Sequence, residues 1–154
     1  MRGSTDRRRV LAGAAGTLLA VALRPAGAVP LPRTETTESA IRRFAGTAEI
    51  RPGRVHLDLP PLVENGNTVP LAVTVESPMT AEDHVRRIGV FNERNPQPNV
   101  VTLHLNPGAG RAQVSTRIRL ADSQRITAIA EMSDGTYWSA SADAIVTLAA
   151  CLEG

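Results

Sequence analysis

Apolar and polar residues alternate with a period of two along much of the chain. In Val55-His-Leu-Asp-Leu59 every second residue is apolar, and Pro60-Pro61 ends the run. Successive side chains of a strand point to opposite faces, so this pattern is typical of strands that bury one face. Further strands are predicted at 69–75, 85–91, 100–105, 114–120, 125–132, 136–142 and 144–150.

Turn-forming residues separate these strands. They include the clusters 64–68, 95–99, 106–110, 121–123 and 133–135, which are rich in Asn, Gly, Pro, Asp and Ser. Seven or eight short strands at spacings of about 8–12 residues are typical of an antiparallel β-sandwich. The pattern therefore predicts an all-β fold.

Two segments carry helical signals. Residues 38–44 place Ile41 and Phe44 on one helix face, and Gly46 ends the predicted helix. The segment 77–83 could open a further helical turn, with Thr80 as its N-cap and Asp83 three residues on.

The first 28 residues have the layout of an export signal. An arginine-rich start precedes an uncharged apolar run at 10–23 and a small-residue pattern that ends at Ala28. The apolar run is shorter than the roughly 20 residues that span a bilayer. Arg7 and Arg8, followed by Arg9, lie just ahead of this run. This arrangement favours the twin-arginine type of signal over general secretion and predicts a periplasmic protein without a membrane span.

Removal of this signal changes the charge balance. It would take away five of 17 basic residues and one of 15 acidic residues, which leaves 12 against 14. The positive charge of the full chain belongs largely to the signal, so it does not indicate nucleic acid as a partner.

The chain lacks a recognisable enzyme motif. His56, His84 and His104 are far apart in the sequence, and none has a second ligand two to four residues away. A transition-metal site needs three or four convergent ligands, so solvated histidines are favoured, and no metal or cofactor is predicted. A periplasmic metal or redox sandwich that uses these histidines stays the weakest of three functional hypotheses.

The single cysteine is the principal chemical candidate. Exported proteins usually pair their cysteines, but this chain has one, and only three residues follow Cys151. A thiol near a chain terminus can be presented to several partners in turn. An interchain disulfide and an incidental thiol are the alternatives.

The segment 53–154 resembles the SoxY family, the sulfur-compound carriers of the bacterial thiosulfate-oxidising (Sox) system. The resemblance lies in Glu64-Asn-Gly-Asn-Thr-Val-Pro70 and in the segments 57–60, 77–79, 92–98, 115–120 and 130–135. It implies an immunoglobulin-like sandwich that pairs with a SoxZ-like subunit in a heterodimer. It also implies covalent attachment of thiosulfate-derived or persulfide intermediates to Cys151. A c-type cytochrome, a sulfate-releasing hydrolase and a sulfur dehydrogenase would then act on this sulfur, while the carrier itself would turn over nothing.

The tail departs from the family pattern, which is Gly-Gly-Cys-Gly-Gly. Here Cys151 is flanked by Ala149, Ala150, Leu152, Glu153 and Gly154. Glycines give a slim and flexible arm, whereas Ala and Leu are bulkier and stiffer. Glu153 places a negative charge near the thiol and so disfavours the thiolate.

The predicted organisation is a signal at 1–28, a lead with a short helix at 29–52, a sandwich at 53–148 and a cysteine-bearing tail at 149–154. A carrier of sulfur compounds on Cys151 is the first functional hypothesis. The second is a scaffolding sandwich that binds a partner through a sheet face and uses Cys151 for an interchain disulfide.

Overall fold

The computed structural model describes Arg33 and residues 35–150. The predicted export signal, with Arg7 and Arg8, lies outside the described residues. So do Cys151, Leu152, Glu153 and Gly154.

The described chain begins with a helix and continues as strands. Helix α1 spans Thr37–Ala45, which agrees with the predicted helix, and a short 3-10 helix spans Pro107–Ala109. The strands are β1 Ile50–Pro52, β2 Val55–Asp58, β3 Leu62–Val63, β4 Val69–Val75, β5 Val85–Asn92, β6 Asn99–His104, β7 Gln113–Ile118, β8 Gln124–Met132 and β9 Tyr137–Val146.

The strands form two sheets. The larger sheet has the order β1-β9-β8-β5-β6, and β3 also pairs with β9, while the smaller sheet has the order β2-β4-β7. All pairs are antiparallel except β1 with β9 and β3 with β9, which are parallel. The fold is thus the predicted all-β, immunoglobulin-like sandwich with a short N-terminal helix.

The smaller sheet buries one face, as its alternating sequence predicts. Strand β4 buries Val69, Leu71, Val73 and Val75 and exposes the residues between them to differing degrees. These side chains pack with Ile88, Val90 and Ile126 and with other residues of the larger sheet to form the main core. This core is the interior of the sandwich.

Helix α1 covers the outer face of the larger sheet. Phe44 packs edge-to-face on Phe91 and Tyr137, with ring centroids 5.6 and 6.2 Å apart. Ala40, Ala45 and Ile129 are the other buried residues of this second cluster. Strands β5 and β8 therefore bury residues on both faces along most of their length, which explains why their apolar runs are nearly continuous.

The structure corrects the prediction of two C-terminal strands. Residues 137–146 form one strand, β9, because β8 pairs with it from Tyr137 to Ala144 while β1 and β3 pair with its two ends. Asp143, which lies between the two predicted strands, pairs with Arg125 of β8 in the sheet and forms an ion pair with it at 2.9 Å. Residues 147–150 are not a strand.

The predicted helical turn at 77–83 is also absent. The Thr80 hydroxyl does accept a hydrogen bond from the Asp83 amide at 3.1 Å, as an N-cap would. However, Met79 has a positive φ of 52° and a buried side chain, and Val85 already pairs with Met132 in the sheet. Burial of Met79 therefore fixes the conformation of the 77–83 segment, and no helix follows Thr80.

Candidate functional site

The chain that leads to Cys151 returns to the domain after β9 ends at Val146. The Thr147 amide donates to the Val63 carbonyl at 2.9 Å, and the Ala150 amide donates to the Leu120 carbonyl at 3.0 Å. Ala150 is only 8% exposed, whereas Ala149 is exposed. The residue immediately before Cys151 is therefore buried and fixed by a backbone hydrogen bond.

Gly66 holds the two sides of this contact together. Its amide donates to the Leu148 carbonyl at 2.8 Å, and its carbonyl accepts from the Leu120 amide at 2.8 Å. A Cβ at this position would lie 2.4 Å from the Leu120 oxygen and 2.8 Å from the Ala150 nitrogen, so only glycine fits. We call the backbone hydrogen bonds among Gly66, Leu120, Leu148 and Ala150 the C-terminal clasp.

The turn that carries Gly66 has a local stabilising bond. The Asn65 side-chain oxygen accepts a hydrogen bond from the Asn67 amide at 2.9 Å, which is an Asx turn. This turn joins β3 to β4, two strands that do not pair with each other. The 64–70 segment, the most distinctive part of the family resemblance, therefore supplies the centre of the clasp.

A polar network supports the Leu120 side of the clasp. The Asn95 side chain donates to the Arg119 carbonyl at 2.7 Å and accepts from the Ala121 amide at 3.0 Å. Gln124 donates to the same Asn95 oxygen at 2.9 Å, and its own oxygen accepts from the Arg94 amide at 2.9 Å. The sequence predicts only a loop at 95–99 and contains no signal for this supporting role.

The structure does not bring the three histidines together as metal ligands. His56 is exposed and lies 2.6 Å from Glu76, and His84 lies 3.0 Å from the Thr80 carbonyl oxygen. His104 is exposed and, with His84, Arg86 and Arg87, lines an open cavity of about 450 Å³. Among residues 35–150 there is no group of three or more His, Cys, Asp or Glu that could hold a metal ion.

Comparison with protein families shows which family the chain belongs to. The family model described as sulfur oxidation protein SoxY matches residues 41–151. The chain belongs to the SoxY family. No curated protein matches the chain.

Solved structures agree with this fold. The SoxY sulfur carrier protein from Chlorobium limicola f thiosulfatophilum is 24% identical, with a TM-score of 0.61, over 72% of this chain and 96% of that one. Superoxide reductases share the fold at a greater distance. Those of Ignicoccus hospitalis and Nanoarchaeum equitans are 20% and 9% identical with TM-scores of 0.54 and 0.53. They cover 61% and 62% of this chain, and the matches span 80% and 99% of the two enzymes.

The SoxY match contains every element of the clasp. It begins within α1 and ends at residue 151, so Gly66, Leu120 and Ala150 all lie inside it, and its last residue is Cys151. Among the described residues, no helix is long and apolar enough to cross a lipid bilayer.

Proposed function

We propose that this SoxY-family protein carries sulfur-oxidation intermediates as covalent adducts of Cys151 and presents them to partner enzymes in the periplasm. The observation that supports this most is the family match, which runs through the domain and ends on Cys151. The protein supplies the attachment point and turns over nothing itself. Its substrates are inorganic sulfur compounds.

Loading with thiosulfate is an oxidation that the carrier cannot carry out alone. The Cys151 sulfur forms a bond to the terminal sulfur of thiosulfate, which gives Cys–S–S–SO₃⁻, one proton and two electrons. A c-type cytochrome partner would accept the two electrons. The thiolate is the reactive form of the cysteine, so an accessible and ionised thiol is required.

The C-terminal clasp suits this role because the residues that form it belong to the folded domain and do not include the reactive Cys151. Ala150 is held on the domain, and the thiol belongs to the next residue along the chain. The sulfur is therefore presented on a short arm of Cys151, Leu152, Glu153 and Gly154. The glycines of the usual tail would make it more flexible, so this stiffer tail favours partners that bind close to the domain surface.

Export and assembly complete the proposal. Residues 1–28, with Arg7 and Arg8, would direct the protein to the periplasm by the twin-arginine route. This route exports folded proteins, so a SoxZ-like subunit without a signal could travel with the carrier as a heterodimer. A sulfate-releasing hydrolase and a sulfur dehydrogenase would process the bound sulfur.

The intact mass of the protein purified from the periplasm without reductant tests the proposal. We expect added sulfur or thiosulfonate masses that map to the Cys151 peptide and disappear with reductant. Cys151→Ser should fold as the wild type does and carry none of these adducts. A Cys151→Ser protein that still carries sulfur would refute the proposal.

A second candidate function rests on the unpaired cysteine, which is unusual in an exported chain. In that case the sandwich is a scaffold and Cys151 forms an interchain disulfide. Non-reducing electrophoresis separates the two functions, because the scaffold would run as a quantitative dimer that reductant collapses.

A further inference from the structure

Three large apolar side chains are conspicuously exposed in the described part of the chain. Leu62, Ile145 and Leu148 are 59%, 60% and 62% exposed. Leu62 and Ile145 are direct partners in the parallel pairing of β3 with β9, and Leu148 follows Ile145 by three residues. We call these three residues the apolar patch.

The apolar patch lies at the base of the cysteine arm. Leu148 belongs to the clasp through its carbonyl oxygen, and it precedes Cys151 by three residues. Three residues of extended chain span at most about 11 Å, so the Cα of Cys151 stays within that distance of the Cα of Leu148. The hydrogen bond from Ala150 to Leu120 shortens the free part of the arm to a single peptide link.

A short arm limits how a partner can reach the sulfur. A partner enzyme that binds the Cys151 sulfur in a pocket has folded protein around the mouth of that pocket. Because Ala150, the residue before Cys151, is held on the carrier domain, this rim must contact the carrier domain. The rim must therefore lie against the surface from which the arm leaves. Leu148 belongs to that surface, and Leu62 and Ile145 lie along the same stretch of chain, because Leu62 pairs with Ile145 and the Thr147 amide donates to the Val63 carbonyl. Apolar side chains gain most from exclusion of water.

We propose that the apolar patch is the docking surface for the partner enzyme that receives Cys151. The inference rests on the proposed carrier function. The partner would have an apolar rim, which contacts Leu62, Ile145 and Leu148, around a cationic floor, which binds the anionic Cys–S–S–SO₃⁻ group. Such a contact is small, and small interfaces are typical of transient encounters with exchangeable partners.

The test compares chemical loading with loading in the cell. The variant carries Leu62→Ser, Ile145→Thr and Leu148→Gln together. The control is Pro52→Ser, which removes an exposed apolar side chain from β1, where that strand pairs with the other end of β9. Purified proteins are first treated with tetrathionate. The Cys151 thiolate attacks one central sulfur and breaks the central S–S bond, which gives Cys–S–S–SO₃⁻ and releases thiosulfate. No enzyme is needed, so both variants should load like the wild type.

The same proteins are then produced in the organism that encodes the chain and purified from cells supplied with thiosulfate. We expect the adduct fraction of the triple variant, measured by intact mass, to fall at least about tenfold, as substitutions in a docking centre do. Pro52→Ser should match the wild type. An unchanged adduct fraction in the triple variant would overturn the docking surface and leave the carrier function intact.

Two further outcomes would also overturn the inference. A wild-type protein without any adduct would refute the carrier function and the docking surface together. A triple variant that elutes as a smaller assembly than the wild type in size-exclusion chromatography would show that the patch binds a permanent subunit or a second copy.

Discussion

The amide of Ala150 donates a hydrogen bond to the carbonyl oxygen of Leu120 at 3.0 Å, directly before the only cysteine of the chain. This bond fixes the residue directly before Cys151 on the domain. Gly66 makes it possible, because the Leu120 oxygen and the Ala150 nitrogen both lie where a side chain at position 66 would begin. The position of Ala150 thus depends on a residue that comes much earlier in the sequence.

Gly66→Ala is expected to open the C-terminal clasp. The added Cβ meets backbone atoms at 2.4 and 2.8 Å, and no rotation of a side chain can relieve this contact. We expect a loss of about 1–3 kcal/mol in the free energy of unfolding, which is typical of overpacking. Faster amide hydrogen exchange at 147–150 should accompany it.

Gly108→Ala is the matched control for this substitution. A Cβ at position 108 would meet only the side-chain oxygen of Asn106, at 2.9 Å, and that side chain can rotate away. Its stability and its exchange at 147–150 should remain those of the wild type. Unchanged exchange in Gly66→Ala would show that Gly66 does not hold the C-terminal segment in place.

Local pattern predicted most of the longer strands, but it missed the short strands β1 and β3 and divided β9 into two. The alternation in 69–75 gave the bounds of β4, and the Asp-Gly turn at 133–135 gave the β8–β9 hairpin. Each of these signals comes from residues that are close together in the sequence, so it can be read from the sequence without knowledge of the fold.

The clasp could not be predicted in the same way. It joins residues 66, 120 and 150, and its bonds run between backbone atoms, so no side-chain pattern marks them. Gly66 was visible only as part of a turn. The family resemblance in 64–70 was the one signal that pointed to it, and the physical reason for the glycine emerged from the close approach of two chain segments.

Glu131→Gln should loosen α1 from the sheet. Glu131 is 7% exposed and forms ion pairs with Arg86, at 3.5 Å, and with Arg87. Burial opposes the charge on Arg87, but the hydrogen bonds and charges of Glu131 and Tyr137 together outweigh burial and raise the pKa of the guanidinium. Arg87 also donates to the Phe44 carbonyl at 3.1 Å and lies over the Phe44 ring.

We expect Glu131→Gln to lower the free energy of unfolding by about 1–3 kcal/mol in urea denaturation, because a buried charged hydrogen bond is weakened. Glu38→Gln is the control. Its exposed pair with Arg42 within α1 is worth about 0.2–0.5 kcal/mol. Equal effects of the two substitutions would mean that the Glu131 pairs contribute no more than a surface pair.

The Arg125–Asp143 pair predicts a specific dependence of stability on pH. Arg125 donates two hydrogen bonds to the Asp143 carboxylate, at 2.9 and 3.1 Å, and lowers the pKa of Asp143 below its usual value. A carboxylate with a lowered pKa stabilises the fold above the pKa of the unfolded chain, near 4. That contribution is lost as the pH falls through the lower, folded pKa.

Arg125→Gln should therefore lose less stability than the wild type between about pH 4 and pH 2. Thermal unfolding across this range measures the difference. Arg117→Gln is the control, since Arg117 donates to the Thr68 hydroxyl at 3.3 Å and should leave the acid slope unchanged. Some slope should remain in every variant, because the Thr136 hydroxyl and amide also lower the pKa of Asp134. Identical slopes in Arg125→Gln and the wild type would contradict the prediction.

The charge of Glu153 should govern how readily the thiol reacts. Glu153 is two residues from Cys151, and a nearby carboxylate disfavours the thiolate. Because the thiolate is the nucleophile, Glu153→Gln should speed alkylation by iodoacetamide, about two- to fivefold near pH 7. The single cysteine makes the measurement unambiguous, and Cys151→Ser should take up no label.

The dependence of the alkylation rate on pH and salt shows whether Glu153 acts through its charge or through its size. The rates of Glu153→Gln and the wild type should converge above about pH 9–10, where the thiol is ionised in both proteins. High salt should reduce the difference, because it screens exposed charges. Glu49→Gln, which removes a distant carboxylate, should react like the wild type. A difference that persists at high pH would instead assign the effect to access, and the arm would then be limited by the size of its flanking residues.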